Sequence, residues 1–253
     1  MHNSVMLSRR LAAVAALSVP LLVAPLAMPG AAVARRSGDS RELVALYRFD
    51  SGRVGGTVAD DSGRGHAMRV AASNGGEWLA VPRAGGRAAQ LPTACAARRS
   101  CPRMVLQSGT AGDLNPWRRS LAYGATVRLP GDQTSKGQNI LQKGYSATSS
   151  QYKLQIDGYA GKPSCVLVGR HDTQIRIVRS AVPVADGAWH DVSCRRSRSV
   201  FTIIVDGMVR GRAWVPTTLS VANSHPLSIG GKGGYYDNDQ FQGAIDDVWL
   251  MIG

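Results

Sequence analysis

The feature that most restricts what this chain can become is a side-chain alternation of period two, cut at short intervals by aspartate-glycine and glycine-glycine pairs. Leu121, Tyr123, Ala125, Val127 and Leu129 alternate with smaller or polar residues. Tyr152, Leu154 and Ile156 alternate with Gln151, Lys153, Gln155 and Asp157, and Ile175 and Ile177 alternate with Gln174 and Arg176. Successive side chains of an extended strand point to opposite faces, so each run describes a strand with one buried face. Asp157-Gly158, Asp186-Gly187, Asp206-Gly207 and Gly230-Gly231 separate the runs, and such pairs take up the backbone angles that tight hairpins need. No segment after the first forty residues shows an amphipathic helical stripe. The expectation is an all-β domain of many antiparallel strands, either a two-sheet sandwich or a closed barrel.

The stretch from Ala188 to Arg210, AWHDVSCRRSRSVFTIIVDGMVR, contains a complete unit of this pattern. His190, Val192 and Cys194 share one face of a strand. Phe201, Ile203 and Val205 share one face of the next, and Ile204 on the other face marks that strand as central. Arg195 to Ser199 reads as the polar connection, so the segment is scaffold. The first strand, Leu43 to Phe49, and the last, Phe241 to Ile252, are expected to pair side by side and so protect both edges.

The first residues set the compartment. Met1 to Arg10 carries two arginines and no acid, an apolar stretch runs from Leu11 to about Ala27, and Ala32-Val33-Ala34 supplies a small-x-small site. That order is a secretory signal peptide, residues 1–34, followed by a short segment at 35–42 and a domain at 43–252. A retained membrane anchor is the rival reading, against which Pro20, Pro25 and Pro29 count. No later segment is apolar enough to span a membrane. In a secreted, extracellular chain four cysteines read as two disulfides, for which three pairings exist. Cys95 and Cys101 lie close together beside Pro92 and Pro102 and suit a small stapled loop, which leaves Cys165 with Cys194. Zinc is excluded because no Cys-x-x-Cys pair occurs and the histidines do not cluster near the cysteines.

The formal charge is +13, and loss of Arg9 and Arg10 with the leader lowers it by two, to +11. The arginines are scattered rather than massed, which describes a solvated surface and argues against nucleic acid as a partner.

"LYRFDSG", "VADDSGRGHAM", "DGAWHDVSC", "FTIIVDGMVRG", "LSIGG" and "FQGAIDDVWLM" follow one another in the order found in laminin G-like jelly-roll domains. From about Leu43 to Ile252 the chain resembles that family, part of the concanavalin A-like lectin/glucanase superfamily. Arginine in excess of lysine, with much alanine and glycine, suits an exported bacterial member. The resemblance implies a two-sheet antiparallel sandwich, binding of sugars, glycoconjugates or proteins, and often a structural calcium ion. It also implies a test for catalysis, since glucanases of the superfamily carry a Glu-x-Asp-x-x-Glu strand that sets two carboxyl groups about 5 to 5.5 Å apart. This chain has two glutamates, Glu42 and Glu77, and neither stands in that pattern. Asp60-Asp61 and Asp246-Asp247 are adjacent pairs, expected to point to opposite strand faces. There is no Gly-x-Ser-x-Gly elbow, GGKGG at Gly230–Gly234 lacks phosphate-loop spacing, and His190 reads as a hydrogen-bonded structural histidine. No catalytic residue is assigned.

Calcium takes six to eight oxygen ligands. Asp50, Asp61 and Asp246 are the candidate set, on the expectation that pairing of the first and last strands brings them to one end of the seam; the alternative is that such aspartates only close their own turns. For a ligand, the loop GGKGGYYDNDQF offers Tyr235, Tyr236, Asp237 and Asn238, and the DLNPWRRS loop offers Trp117, because sugar sites combine flat rings with hydrogen-bonding groups. The expected role is a secreted binding module for a glycan or glycoconjugate. The alternatives are an interaction module for an envelope or extracellular protein, and a degenerate or unrecognised polysaccharide-active enzyme.

Overall fold

The computed structural model of the protein describes residues 41–54, 56–172 and 174–253. The expected leader at 1–34 and most of the 35–42 segment lie outside the described residues. In chain order the strands are β1 (Glu42–Tyr47), β2 (Arg53–Val54), β3 (Thr57–Val58), β4 (Met68–Ser73), β5 (Leu79–Arg83) and β6 (Gly86–Gln90). There follow β7 (Arg103–Gln107), β8 (Leu121–Arg128), β9 (Gly137–Lys143), β10 (Gln151–Asp157), β11 (Lys162–Val168) and β12 (Arg176–Arg179). The last are β13 (Trp189–Ser197), β14 (Val200–Val205), β15 (Met208–Trp214), β16 (Leu227–Ile229) and β17 (Ala244–Ile252). The only helical turns among the described residues are two 3-10 turns, Arg98–Ser100 and Gly131–Gln133. No helix among them is long and apolar enough to cross a membrane.

The strands form two antiparallel sheets packed as a sandwich. One has eight strands, ordered β15-β14-β13-β8-β17-β6-β5, with β1 also paired to β17. The other has nine, ordered β12-β11-β10-β9-β16-β7-β4-β3-β2. The first and last strands pair as expected, Leu46 opposite Trp249 and Tyr47 opposite Val248. The hairpin at Asp206-Gly207 has both residues at positive φ (50° and 73°), the geometry that matches the twist of its strands.

Between the sheets Tyr123 of β8 meets Tyr152 of β10 with ring centroids 5.3 Å apart. Each phenol reaches a backbone carbonyl at the edge of the core, Tyr123 donating to Lys153 O (3.2 Å) and Tyr152 to Leu114 O (3.0 Å). Cys165 of β11 is bonded to Cys194 of β13, so the cystine joins one sheet to the other, and Cys95 is bonded to Cys101 within its loop. Both pairings are those expected from spacing.

Three readings are corrected. β12 presents Val178 to the core, whereas Ile175 is exposed and Ile177 half-buried. The register with β11, Cys165 opposite Val178, selects the other face of this outer strand. β8 is buried on both faces, because Trp249 of β17 lies over Gly124 so closely that a Cβ there would be 2.8 Å from the indole ring. Arg196 does not belong to a solvated turn: β13 continues to Ser197, the turn falls at Arg198 (φ 52°), and Arg196 follows Val192 and Cys194 inward. There its guanidinium donates to Thr217 O at 3.3 Å, and burial lowers its pKa.

Candidate binding clefts

The loop that follows β16 is held by its own side chains. Gly230 sits at φ +87°, and its carbonyl accepts from Phe241 N (3.0 Å) and Gln240 Nε2 (2.9 Å). Lys232 N donates to Asn238 O (2.8 Å), and Asn238 Nδ2 donates to Gly233 O (2.6 Å). The carbonyl of the Gln240 amide accepts from Met104 N at 2.9 Å, tying the loop to β7. Gly234 runs against β4, where a Cβ would come within 2.8 Å of Ala72 N. Gly230 and Gly233 likewise leave no room for a Cβ, which would meet the Leu91 side chain at 2.5 Å and the Tyr235 ring at 2.6 Å. The two tyrosines that follow are pushed outward, Tyr235 50 % and Tyr236 52 % exposed. Asn238, expected to touch a ligand, is fully buried and instead closes the loop.

Beneath Tyr236 lies a cleft of about 350 Å³, lined by Tyr159, Lys136, Asp237, Asp239, Gln242 and the cystine Cys95–Cys101, among others. The small disulfide thus forms one wall of it. Arg99 and Arg103 each place a guanidinium 5.8 Å from the Tyr236 ring, within the range of cation–π attraction. Lys136 Nζ bonds Asp237 Oδ1 at 2.8 Å, and this hydrogen bond holds the Asp237 carboxyl below its ordinary pKa. The cleft combines exposed rings with a balanced set of cationic, anionic and amide groups. Tyr159 was not singled out from the sequence; its position directly after Asp157-Gly158, at a hairpin tip, was the available signal.

Trp117 lies in a different cleft, of about 420 Å³, whose lining shares no residue with the first. It is bounded by Thr110, Asn115, Trp117, Arg170, Asn223 and Ser224. Of the expected ligand residues, the structure thus places Tyr236 and Asp237 in one cleft and Trp117 in another, while Tyr235 and Asn238 line neither.

The three aspartates expected around calcium are not assembled into a shared site. Asp50 accepts the Arg87 amide (2.8 Å), and Asp61 accepts the Arg48 amide (3.1 Å). Asp246 in β17 is bound by Arg83 at 2.5 Å and accepts the Asp247 amide at 2.8 Å. No group of three or more His, Cys, Asp or Glu among the described residues is placed to hold a metal ion. These residues do not fit a shared calcium site: Asp50 and Asp61 each hold the backbone amide of a distant segment, Arg87 and Arg48, and Asp246 carries a counter-ion. Asp60 behaves in the same way. Burial acts to raise its pKa, but hydrogen bonds from Ser62, His66 and Leu46 outweigh it and lower the value.

Asp246 and Asp247 depart from the expected opposite orientation. β17 has an irregular register here, with Asp247 at φ 44°, and both carboxylates meet the same nitrogen of Arg83, at 2.5 and 2.7 Å. A bulge defeats the period-two rule. The guanidinium stacks on Trp189 at 5.2 Å, as does that of Arg128. His190 is hydrogen-bonded on both ring nitrogens, to Asp206 (2.8 Å) and Asp186 (3.1 Å), which marks it as a turn-fixing residue.

A laminin G family model, of the concanavalin A-like lectin/glucanases superfamily, matches residues 109–251. No curated protein matches the chain. Among solved structures, the chain resembles domain 4 of AbnA, a GH43 extracellular arabinanase from Geobacillus stearothermophilus, solved in complex with arabinotriose. The TM-score is 0.62 and the identity 15 %, over 84 % of this chain and 93 % of that one. It also resembles the binding domain of Paraclostridial Mosquitocidal Protein 1 (TM-score 0.60, 11 % identity, 82 % of this chain and 48 % of that one). The binding domain of botulinum neurotoxin DC in complex with SialylT is similar too (TM-score 0.56, 12 % identity, 82 % and 47 %). The chain spans about half the length of the two toxin domains. At these identities the likeness is one of fold.

Proposed function

The chain belongs to the concanavalin A-like lectin/glucanases superfamily, and we propose that it is a secreted, non-catalytic module that binds carbohydrate or a glycoconjugate in the cleft beneath Tyr236. The observation that carries the reading is the pairing of two exposed rings, Tyr236 and Tyr159, with Lys136, Asp237, Asp239 and Gln242 around one concavity. A pyranose presents flat C–H faces to rings and a rim of hydroxyls to charged and amide groups. The loop is already fixed by Asn238 and Gln240, so little ordering entropy opposes binding. Similar folds solved with arabinotriose and SialylT support the class of ligand. The two disulfides support an extracellular location. A non-catalytic role is supported by the engagement of the Asp246–Asp247 pair with Arg83.

The test is calorimetric titration of the purified protein with neutral oligosaccharides, arabinotriose among them. Tyr236→Ala and Tyr159→Ala are each expected to weaken binding by about 3- to 10-fold, from the stacking energy of one ring. Unchanged affinity in the double variant would refute the site, and release of reducing sugar would refute the non-catalytic reading.

A second reading, adhesion to an extracellular protein, has its own observation. The outer face of β13, β14 and β15 forms a groove of about 600 Å³ lined by Ile204, Val209 and Trp214, and Trp214 is 79 % exposed.

A further inference from the structure

The Trp117 cleft differs from the Tyr236 cleft in charge. We infer that it is a second, independent site, for an acidic sugar unit whose ring lies against Trp117 and whose carboxylate is held by Arg170. Trp117 has a left-handed backbone (φ 54°) and is pinned by reciprocal hydrogen bonds with Val221, 2.9 and 3.0 Å. The residue is nevertheless 46 % exposed. The Arg170 guanidinium lies 5.4 Å from the indole ring and pairs with no carboxylate among the described residues. The nearby acid, Asp172, is committed to Arg176 at 2.7 Å. The exposed indole and the guanidinium above it set an apolar surface beside a planar cation, which matches a pyranose carrying a carboxylate.

The walls do not neutralise this cation. No acid lines the cleft. Asn115 and Asn223 are bonded to each other, Nδ2 to the Asn223 carbonyl and Asn223 N to Oδ1, both 3.1 Å. Asn223 Nδ2 also donates to Ser150 O at 2.8 Å. They give the cleft a fixed shape, leaving the hydroxyls of Thr110 and Ser224 to meet sugar hydroxyls. Behind Asn223 stands Lys143, 1 % exposed, donating to its carbonyl (2.8 Å) and its Oδ1 (3.1 Å). Lys143 too has no carboxylate partner among the described residues. Burial lowers its pKa to about 8, so at neutral pH it remains mostly charged. A buried ammonium without a counter-ion is unfavourable to the fold. Its field, weakly screened by the surrounding protein, adds to that of Arg170 in the cleft.

The experiment titrates the whole protein with trigalacturonate, with galactotriose and with inorganic phosphate, read by calorimetry and by the fluorescence difference between the native protein and Trp117→Phe. Trigalacturonate is expected to bind, with a fluorescence change that Trp117→Phe loses. Arg170→Gln, at an exposed position, is expected to weaken trigalacturonate about tenfold or more, the loss of one charge-assisted contact. Galactotriose binding is expected to be indifferent to Arg170→Gln. Phosphate is expected to bind at least about tenfold more weakly than trigalacturonate and to displace it only in corresponding excess. Failure of trigalacturonate to bind, or binding unaltered by Arg170→Gln, overturns the site. Phosphate binding as tight as that of trigalacturonate overturns its sugar character and leaves a simple oxyanion site. Loss of Tyr236-dependent binding of neutral oligosaccharides would bear only on the other cleft.

Discussion

Replacing Lys143 with methionine separates the contribution of a buried charge to function from its effect on the fold. Its pKa of about 8, against the ordinary 10.5, corresponds to at most about 3.4 kcal/mol at 1.36 kcal/mol per pH unit. Relaxation of the protein around the charge, which raises the effective dielectric of the interior, reduces this to roughly 1–2 kcal/mol. The folded chain releases this proton near pH 8 and the unfolded chain near 10.5. Between those values the unfolded state binds more protons, and stability rises with pH. Above about pH 10 the direction reverses. Burial holds the phenols of Tyr47, Tyr123 and Tyr152 neutral in the fold, while the unfolded chain ionises them and so binds fewer protons. Stability should therefore pass through a maximum near pH 10. Lys143→Met leaves no orphaned acceptor, since Asn223 O still receives Asn115 Nδ2 and Asn223 Oδ1 still receives His225 N. The variant should gain about 1 kcal/mol at pH 7, a rise in Tm of about 2–4 °C, and lose that advantage by pH 10. Urea unfolding of both proteins between pH 7 and 10.5 measures it. A flat native profile between pH 8 and 10, or a variant less stable than the native protein at pH 7, would refute the reasoning.

Other outcomes follow from the same structure. Replacing Cys165 and Cys194 by alanine opens a bridge with a sequence separation of 29 and should lower stability by roughly 3–4 kcal/mol in denaturant titration. The same change at Cys95 and Cys101 should remove only about 2 kcal/mol while loosening the wall of the Tyr236 cleft. In an NMR titration His190 should show a pKa above its ordinary value: burial acts to lower it, but hydrogen bonds to Asp206 and Asp186 prevail. Its stabilisation is complete below about pH 6.5 and disappears as pH rises through the folded value; Asp206→Asn should bring the titration back down. The Tm of the metal-stripped protein should not move with millimolar calcium, and a clear rise would restore a cation site.

The period-two runs and the Asp-Gly pairs made the sandwich legible, because strand faces and tight turns depend on neighbours in the chain. So did both cystines and the adjacency of β1 to β17. What failed depends on distant partners. Val178 faces inward because of its register with β11, and Asp246 and Asp247 converge because a bulge interrupts β17. Arg196 is buried because β13 runs on to Ser197, three residues beyond Cys194, the last of its apolar positions. In the candidate sites Tyr236, Asp237 and Trp117 were found as exposed loop residues, but nothing local indicated that they belong to different clefts. Tyr159, Arg170 and Lys143 come from other hairpins and strands, and only the assembled sheets bring them near.

β17 carries a kinetic consequence. It lies between β8 on one side and β1 and β6 on the other. β17 is thus the keystone of its sheet. Until Ala244–Ile252 arrives, β1, β6 and β8 lack their common neighbour, and Glu42 must find Ile252 across nearly the entire domain. Closure over such separations is slow, on the order of milliseconds to seconds. During synthesis this sheet therefore stays open and threadable until Ala244–Ile252 is in place.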